Sequence, residues 1–406
     1  MPSLLRQRPR ISFFILMLAL VLISGCSTRH KDVAMIDDLL NEAKEKFAPD
    51  RRTAVFDVKP EQHGEVVTLK GEVHSPAMKA DLFAFLRERT SVALEDSVIA
   101  LPDSALGMKT AGIVSVSVAN IRTKPGHAAE MGTQAILGTP LQILKKRRGW
   151  YYVQTPDAYL GWTSGHIVMM TPEEMKAWSD KPKIIVTTEL TFTHQRPEKT
   201  SQTVSDVVAG ALLALKGQSG GFYEVEYPDG RTAFLPREMG APYAAWLDKV
   251  KDTPETIVAT AKRFMGIPYF WGGTSAKGMD CSGFTKTVYF LNGVLLPRDA
   301  SQQVHVGELV DTTGGIDLKP GDLLFFGSRE RPGHKERVTH VAISLGGKHF
   351  IHASADVRIN SLSPADTDYS KDRDDGFLRA KRIIGVGESA GVKRLKDLPY
   401  YGSPHE

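Results

Sequence analysis

The stretch from Gly266 to Phe284 limits what this chain can fold into more than any other. An apolar-periodic helix runs up to Gly266, and Tyr269-Phe270-Trp271-Gly272-Gly273-Thr274-Ser275 follows it. Then come Asp280-Cys281-Ser282-Gly283-Phe284. Asp280 suits a helix N-cap, and Phe284, Val288 and Leu291 recur at helical spacing, so Cys281 is expected at a helix start. Unpaired N–H groups and the helix dipole favour a thiolate there. Two histidines follow in strand-like runs, His340 in Thr339-His340-Val341-Ala342-Ile343 and His352 in Phe350-Ile351-His352-Ala353. A thiol, a base and a group to orient the base are the parts of a nucleophilic hydrolase. Two other readings stay open: a buried, inert thiol, or a zinc site. No close-spaced Cys/His pair supports the zinc site.

The chain has 406 residues and two cysteines, Cys26 and Cys281. Residues 1–26 read as a targeting segment, with basic Arg6, Arg8 and Arg10 followed by an apolar run from Ile11 to Leu22. The run ends in Ile23-Ser24-Gly25-Cys26, which resembles a bacterial lipobox; the resemblance implies lipidation of Cys26. An ordinary signal peptide or a short membrane anchor is the alternative. A lipid on Cys26 leaves Cys281 without a partner in its own chain, an exported thiol free to react. Ser27 after the cysteine is compatible with outer-membrane sorting. The expected location is therefore the bacterial envelope, lipid-anchored, on the outer membrane or a periplasmic face. The net charge of +4 carries no long basic run, so nucleic acid is not an expected partner.

The length implies two to four domains. Residues 27–110 read as a small α/β module: a helix carrying Ile36, Leu39, Leu40, Ala43 and Phe47, strand-like runs at 53–58, 66–73 and 98–101, and a helix opened by Ser75-Pro76. It loosely resembles BON-type envelope modules. Residues 111–175 read as all-β, with Ile113 to Val118 and Tyr151 to Gln154 alternating. Val118-Ala119-Asn120-Ile121-Arg122-Thr123-Lys124-Pro125, Gly149-Trp150-Tyr151-Tyr152-Val153 and Tyr159-Leu160-Gly161-Trp162 resemble bacterial SH3 domains. Residues 180–250 echo that plan, so two tandem SH3-like barrels are expected.

Residues 251–390 change pattern. Thr253-Pro254-Glu255 opens a helix with Ile257, Val258, Ala261, Phe264 and Met265 on one face, and the cysteine helix ends near Asn292-Gly293. Strand-like runs follow at 322–326, 338–345 and 349–353. Helices first and strands after imply an α+β domain, its cysteine helix laid on an antiparallel sheet. The predicted fold is thus a multidomain chain: a small α/β module, two SH3-like barrels and this α+β domain.

The last domain resembles the NlpC-type cell-wall cysteine peptidases, a permuted papain-like family. The resemblance rests on Pro268-Tyr269-Phe270-Trp271-Gly272-Gly273, Asp280-Cys281-Ser282-Gly283-Phe284, Leu296-Pro297-Arg298-Asp299, Pro320-Gly321-Asp322-Leu323 and Thr339-His340-Val341. With the barrels ahead, it points to the subgroup that cuts γ-D-glutamyl–diamino acid bonds of peptidoglycan stem peptides. It implies Cys281 as nucleophile, His340 as general base, His352 as the orienting third member and Tyr269 as an oxyanion donor beside the Cys281 N–H. Asp280, Ser282 and Asp299 match substrate-lining positions. Glu130 and Tyr159 match barrel positions that, with Asp280, hold the free amine of an N-terminal L-alanine. Where relatives often carry serine, this chain has Ala300. No cofactor and no metal are implied. The expected partners are stem peptides or muropeptide fragments and, through the anchor, a membrane; the expected state is a monomer. A Cys/His amidase or acyltransferase, and a non-catalytic wall-binding protein, are the competing functions.

Overall fold

The structure is a computed structural model, and it describes residues 31–63, 66–312 and 318–402. The targeting segment and Cys26 lie outside the described residues. The chain divides into two compact units, parting between Ser104 and Ala105.

In the first unit, helix α1 covers 31–47 and buries Ile36, Leu40 and Ala43. Strands β1 (Phe56–His63) and β2 (Val66–Val73) form an antiparallel hairpin. Helix α2 (Pro76–Arg87) then crosses to β3 (Leu94–Ala100), which lies parallel to β2. Ser75 caps α2, accepting from Met78 N at 3.1 Å, and proline fills the first turn, where its missing N–H costs nothing. Both outer strands are longer than their apolar runs. In β3, Glu95, Asp96 and Ser97 are exposed, so that half of the strand carries no apolar signal.

The second unit begins with two seven-stranded sheets. The first contains β4 (Ala111–Val114), β5 (Val118–Arg122), β6 (Met131–Ile136), β7 (Pro140–Arg147), β8 (Trp150–Gln154), β9 (Leu160–Ser164) and β10 (Ile167–Met170), in the order β10-β4-β7-β8-β9-β5-β6. Helix α3 (Pro172–Asp180) follows, with a capping box between Thr171 and Glu174. The second sheet contains β11 (Lys183–Val186), β12 (Leu190–His194), β13 (Thr203–Val208), β14 (Leu212–Ser219), β15 (Phe222–Glu226), β16 (Thr232–Pro236) and β17 (Gly240–Pro242), in the order β17-β11-β14-β15-β16-β12-β13. Strand for strand, the two orders are the same. The single alternating run expected over 113–118 is broken. Ser115 and Ser117 leave the ladder to bond with the second sheet, Ser115 O accepting from Arg231 and Ser117 Oγ donating to Asp206 at 2.8 Å.

The remainder supplies α4 (Tyr243–Lys249), α5 (Pro254–Arg263), the short pair β18 (Thr274–Ser275) and β19 (Gly278–Met279), α6 (Cys281–Phe290), β20 (Val294–Leu295) and α7 (Ala300–Gln303). Strands β21 (Glu308–Val310), β22 (Leu323–Ser328), β23 (Arg337–Gly346), β24 (His349–Ser354) and β25 (Asp356–Ser361) follow, then α8 (Lys371–Asp375), β26 (Phe377–Arg382) and β27 (Lys393–Arg394). The main sheet is antiparallel, in the order β21-β26-β22-β23-β24-β25. Phe284 and Val288 of α6 pack with Ile257 and Ala261 of α5 on Val341, Ile343 and Ile351. The other alternation of the same strands, Leu324, Phe326, Ala342 and Phe350, packs with Phe377 in a second cluster. Met265 departs from the expected face: α5 stops at Arg263, Gly266 turns at φ +80°, and Met265 is exposed. Packing also continues past residue 390. β27 pairs with β20, and Tyr243 Oη donates to Tyr401 O at 2.8 Å. Among the described residues no helix is long and apolar enough to cross a membrane.

Candidate active site

Cys281 opens α6, and the loop before it is built to hold that position. Asp280 Oδ1 accepts the N–H of Gly283 at 2.7 Å, and its Oδ2 accepts that of Gly272 at 2.9 Å. Gly272 sits at φ +78°, and a Cβ there would lie 2.6 Å from Met131 O of β6. Only glycine allows the loop to press against the barrel at this point. The Cys281 side chain is buried, and its sulfur meets the backbone N–H of Val341, one residue beyond His340.

Burial pushes the Cys281 thiol up to about 11, and the charge of Asp280 pushes the same way; the N–H groups of Val341 and Ser282 and the charge of Arg298 only partly offset this. The thiolate expected from the helix start is therefore not the resting form. A helix terminus contributes about 0.3–1 kcal/mol, less than one pH unit, whereas desolvation of a buried ion reaches several units. The resting site is a thiol that loses its proton only as it reacts.

The base side is a chain of side chains whose polarity follows from its far end. His340 Nε2 lies 2.7 Å from His352 Nδ1, and His352 Nε2 lies 2.9 Å from Asn360 Oδ1. Asn360 Nδ2 donates to the carbonyl of Asp368 at 2.8 Å. A carbonyl can only accept, so the amide nitrogen of Asn360 must face it, and its oxygen must face His352. His352 then carries its proton on Nε2 and accepts at Nδ1, which requires the His340 proton on Nε2. The free lone pair of His340 is left on Nδ1. This holds while both rings are neutral. Burial takes His340 well below the ordinary histidine value, with the charge of Arg373 acting the same way, and burial takes His352 down to about 4 despite the Asn360 hydrogen bond.

Tyr269 is held beside this array. Its N–H donates to Ala355 O at 2.7 Å, in the turn between β24 and β25. Its hydroxyl has no hydrogen-bond partner among the described residues. Burial, then the charges of Cys281 and Asp280, push it up to about 12, so it stays a donor at neutral pH. The N–H of Cys281, at the first helical position, has no intrahelical acceptor.

The expected substrate-lining residues divide. Asp280 and Ser282 are buried and largely engaged with each other and with Arg298. Arg298 donates to Asp280 at 2.6 and 3.0 Å, to Ser282 Oγ at 3.0 Å and to Thr133 Oγ1 of β6 at 2.8 Å. Asp299 caps the short α7 and lies 4.0 Å from Arg298. Glu130 is exposed and accepts from Trp271 Nε1 at 3.0 Å; Tyr159 is buried against Gly132, close enough to Arg298 to act on it electrostatically. Cys281, His340, His352, Tyr269, Asp280 and Ser282 are thus drawn together, with Glu130 and Tyr159 joined to them through Trp271 and Arg298. Sequence reasoning missed Asn360, Arg373 and the central place of Arg298. Arg298 belongs to the Leu296-Pro297-Arg298-Asp299 motif; Asn360 and Arg373 carry no local signal. Among the described residues, the grouping with metal-ligand geometry is His349, Asp366 and Asp368, which does not include Cys281, His340 or His352.

Comparison with known proteins agrees with this geometry. The NlpC/P60 family model matches residues 266–379, and the bacterial dipeptidyl-peptidase Sh3 domain matches residues 121–164. The chain is 30% identical over 249 residues to a gamma-D-glutamyl-L-lysine dipeptidyl-peptidase of Bacillus cereus, covering 59% of this chain and 72% of that protein. It is 29% identical over 278 residues to dipeptidyl-peptidase 6 of Lysinibacillus sphaericus, covering 64% and 94%. The crystal structure of an NlpC/P60 family protein from Bacillus cereus superposes with a TM-score of 0.57 at 25% identity, covering 68% of this chain and 99% of that one. A family match that spans the Cys281 loop and both histidines, behind an SH3 domain that reaches into the same loop, makes this chain a multidomain cysteine peptidase of the NlpC/P60 family.

Proposed function

We propose that this peptidase hydrolyses the γ-D-Glu–diamino acid bond of peptidoglycan stem peptides that carry a free N-terminal L-alanine. The observation that carries the reading is the position of Glu130: a barrel carboxylate, hydrogen-bonded to Trp271, nine residues before Asp280 in the nucleophile loop. A carboxylate at that end of the site suits an ammonium group, and a barrel wall closing that end would exclude a substituent on the amine. In this reading Asp280, which already accepts five hydrogen bonds, holds the amine together with Glu130 and Tyr159.

The chemistry follows from the tautomers. His340 Nδ1 takes the proton of Cys281 as the sulfur attacks the scissile carbonyl carbon. The oxyanion is met by the Tyr269 hydroxyl and the Cys281 N–H, each such donor worth about 3 kcal/mol. Collapse expels the amine of the diamino acid, which leaves with the proton from His340. Water, deprotonated by the same nitrogen, then opens the thioester and frees the D-glutamyl acid. His352, held by Asn360, keeps His340 in the tautomer that does this.

In the same reading the second seven-stranded sheet is a second SH3-like barrel, on the strength of its matching strand order. The unit ahead of residue 104 is a spacing or docking module. Lipidation of Cys26 holds a monomeric enzyme at the envelope, on wall turnover or recycling. Mass spectrometry of products from a panel of stem peptides tests the specificity. Free L-Ala-γ-D-Glu-diamino acid peptides are cut after D-Glu, and the same peptides blocked by a muramyl group are cut poorly. Equal hydrolysis of blocked and free peptides would make this a general wall endopeptidase.

A further inference from the structure

Arg373 stands out among the arginines held away from full solvent. Arg298 is paired with Asp280, Arg382 with Asp322 and Arg394 with Asp252. The half-buried guanidinium of Arg373 has neither an ion pair nor a hydrogen bond among the described residues. Of the nearby carboxylates, Asp374 accepts from the Tyr369 hydroxyl at 2.9 Å and Asp375 pairs with Lys371 at 2.6 Å, while Asp372 acts on Arg373 through its charge alone, with no ion pair or hydrogen bond between them. A partly desolvated, unpaired cation is costly and calls for a partner.

Its position indicates which one. The Arg373 Cζ lies 5.9 Å from the centre of the Phe326 ring, and that ring lies 5.9 Å from the ring of His340. Its charge bears on Cys281, on the Tyr269 hydroxyl and on both histidines. An anion bound here would therefore sit beside the reacting bond. A D-glutamyl residue linked through its γ-carboxyl keeps its α-carboxyl free, four bonds from the scissile carbonyl carbon. An α-linked peptide has a carboxylate at that distance only where the residue before the bond is itself a glutamate.

We infer that Arg373 is a specificity residue that binds the free α-carboxylate of the γ-linked D-glutamyl residue, and so distinguishes it from the α-carboxamide form and from peptides with no glutamate at that place. The inference rests on the γ-D-glutamyl reading proposed above. The guanidinium fork matches a carboxylate bidentately, and the aromatic surface of Phe326 holds its plane.

The test compares two synthetic peptides, L-Ala-γ-D-Glu-diamino acid with its α-carboxyl free or converted to the carboxamide. The wild-type protein should favour the carboxylate by about ten- to hundredfold in kcat/KM, the range for a charge-assisted bond. Arg373→Gln should bring that ratio to within about threefold of unity by losing the carboxylate peptide selectively, and Arg373→Lys should fall between. Because the Arg373 charge also bears on Cys281, a change in thiol reactivity would scale both peptides alike, and the ratio between them isolates the carboxylate contact. If Arg373→Gln keeps the wild-type ratio, or lowers both peptides equally, the assignment is wrong while the peptidase reading survives. The same holds if the wild type cuts both peptides equally well. A wild-type protein inert toward both ends the reading and the inference together.

Discussion

The two seven-stranded sheets have one strand order and very different relations to the active site. In the first, Thr133 accepts from Arg298, Gln134 Oε1 accepts from Thr274 N at 3.1 Å, and Glu130 accepts from Trp271. In the second, the counterpart strand β13 offers Asp206 to Lys277, a pair still 29–41% exposed. The turns contrast in the same way. Asp157, between β8 and β9, reaches Lys286 on the nucleophile helix at 2.6 Å, with only 2% and 14% of the two side chains exposed. Asp229, between β15 and β16, pairs with Arg231 two residues on, at the surface. The link to the Cys281 loop thus lies in the few polar side chains that the first sheet turns toward it, and the strand order alone assigns none of it.

The largest effect separates the barrels from the chemistry. Cys281→Ala should lose several powers of ten in turnover while both seven-stranded sheets and the unfolding transition stay as they are. Residual turnover near wild type would remove the cysteine mechanism. Next come the two turn aspartates. Lys286→Ala strands Asp157 in a buried site and should cost about 3–5 kcal/mol in denaturant unfolding, whereas Asp229→Ala should cost no more than about 1 kcal/mol. Similar values for the two would mean that the two sheets are docked alike.

Glu130→Ala should lower kcat/KM for the free-amine peptide about ten- to hundredfold and hardly affect an N-acetylated one. Gln202→Ala, at the matching place before β13, should change neither. The smallest effect is pH dependence, which probes the relay apart from either barrel. Both histidines titrate below the ordinary value of 6.5 when folded, so the unfolded chain binds more protons between about 6.5 and 4. Stability contributed by the neutral pair is therefore complete above pH 6.5 and lost as pH falls toward 4. The acid limb of kcat/KM should lie below 6.5. Asn360→Asp should move that limb upward, because a carboxylate favours a charged His352. A limb that stays put would exclude Asn360 from the relay.

Much of this site was legible because its signals are local. The Asp280 cap, the glycines before Cys281 and the strand settings of His340 and His352 each depend on a few neighbouring residues. Strands β25 and β26 went unnoticed for the opposite reason. In β25 only Val357 and Ser361 are buried, and β26 enters the middle of the sheet between β21 and β22 from far along the chain. Asn360 and Arg373 lie on or next to those strands, so their roles were invisible with them.

By itself, then, the sequence determined the peptidase and SH3 domain types, the helix that opens at Cys281 and the strand settings of His340 and His352, since periodicity, caps and turns are properties of short segments. Tertiary structure decided the protonation states and the partners. Whether Cys281 rests as a thiol, which nitrogen of His340 is free and which barrel serves the site all depend on burial and on contacts across 100 residues or more, such as Arg298 with Thr133 and Lys286 with Asp157. Desolvation energy is set by everything packed around a group, and no local window of sequence contains it.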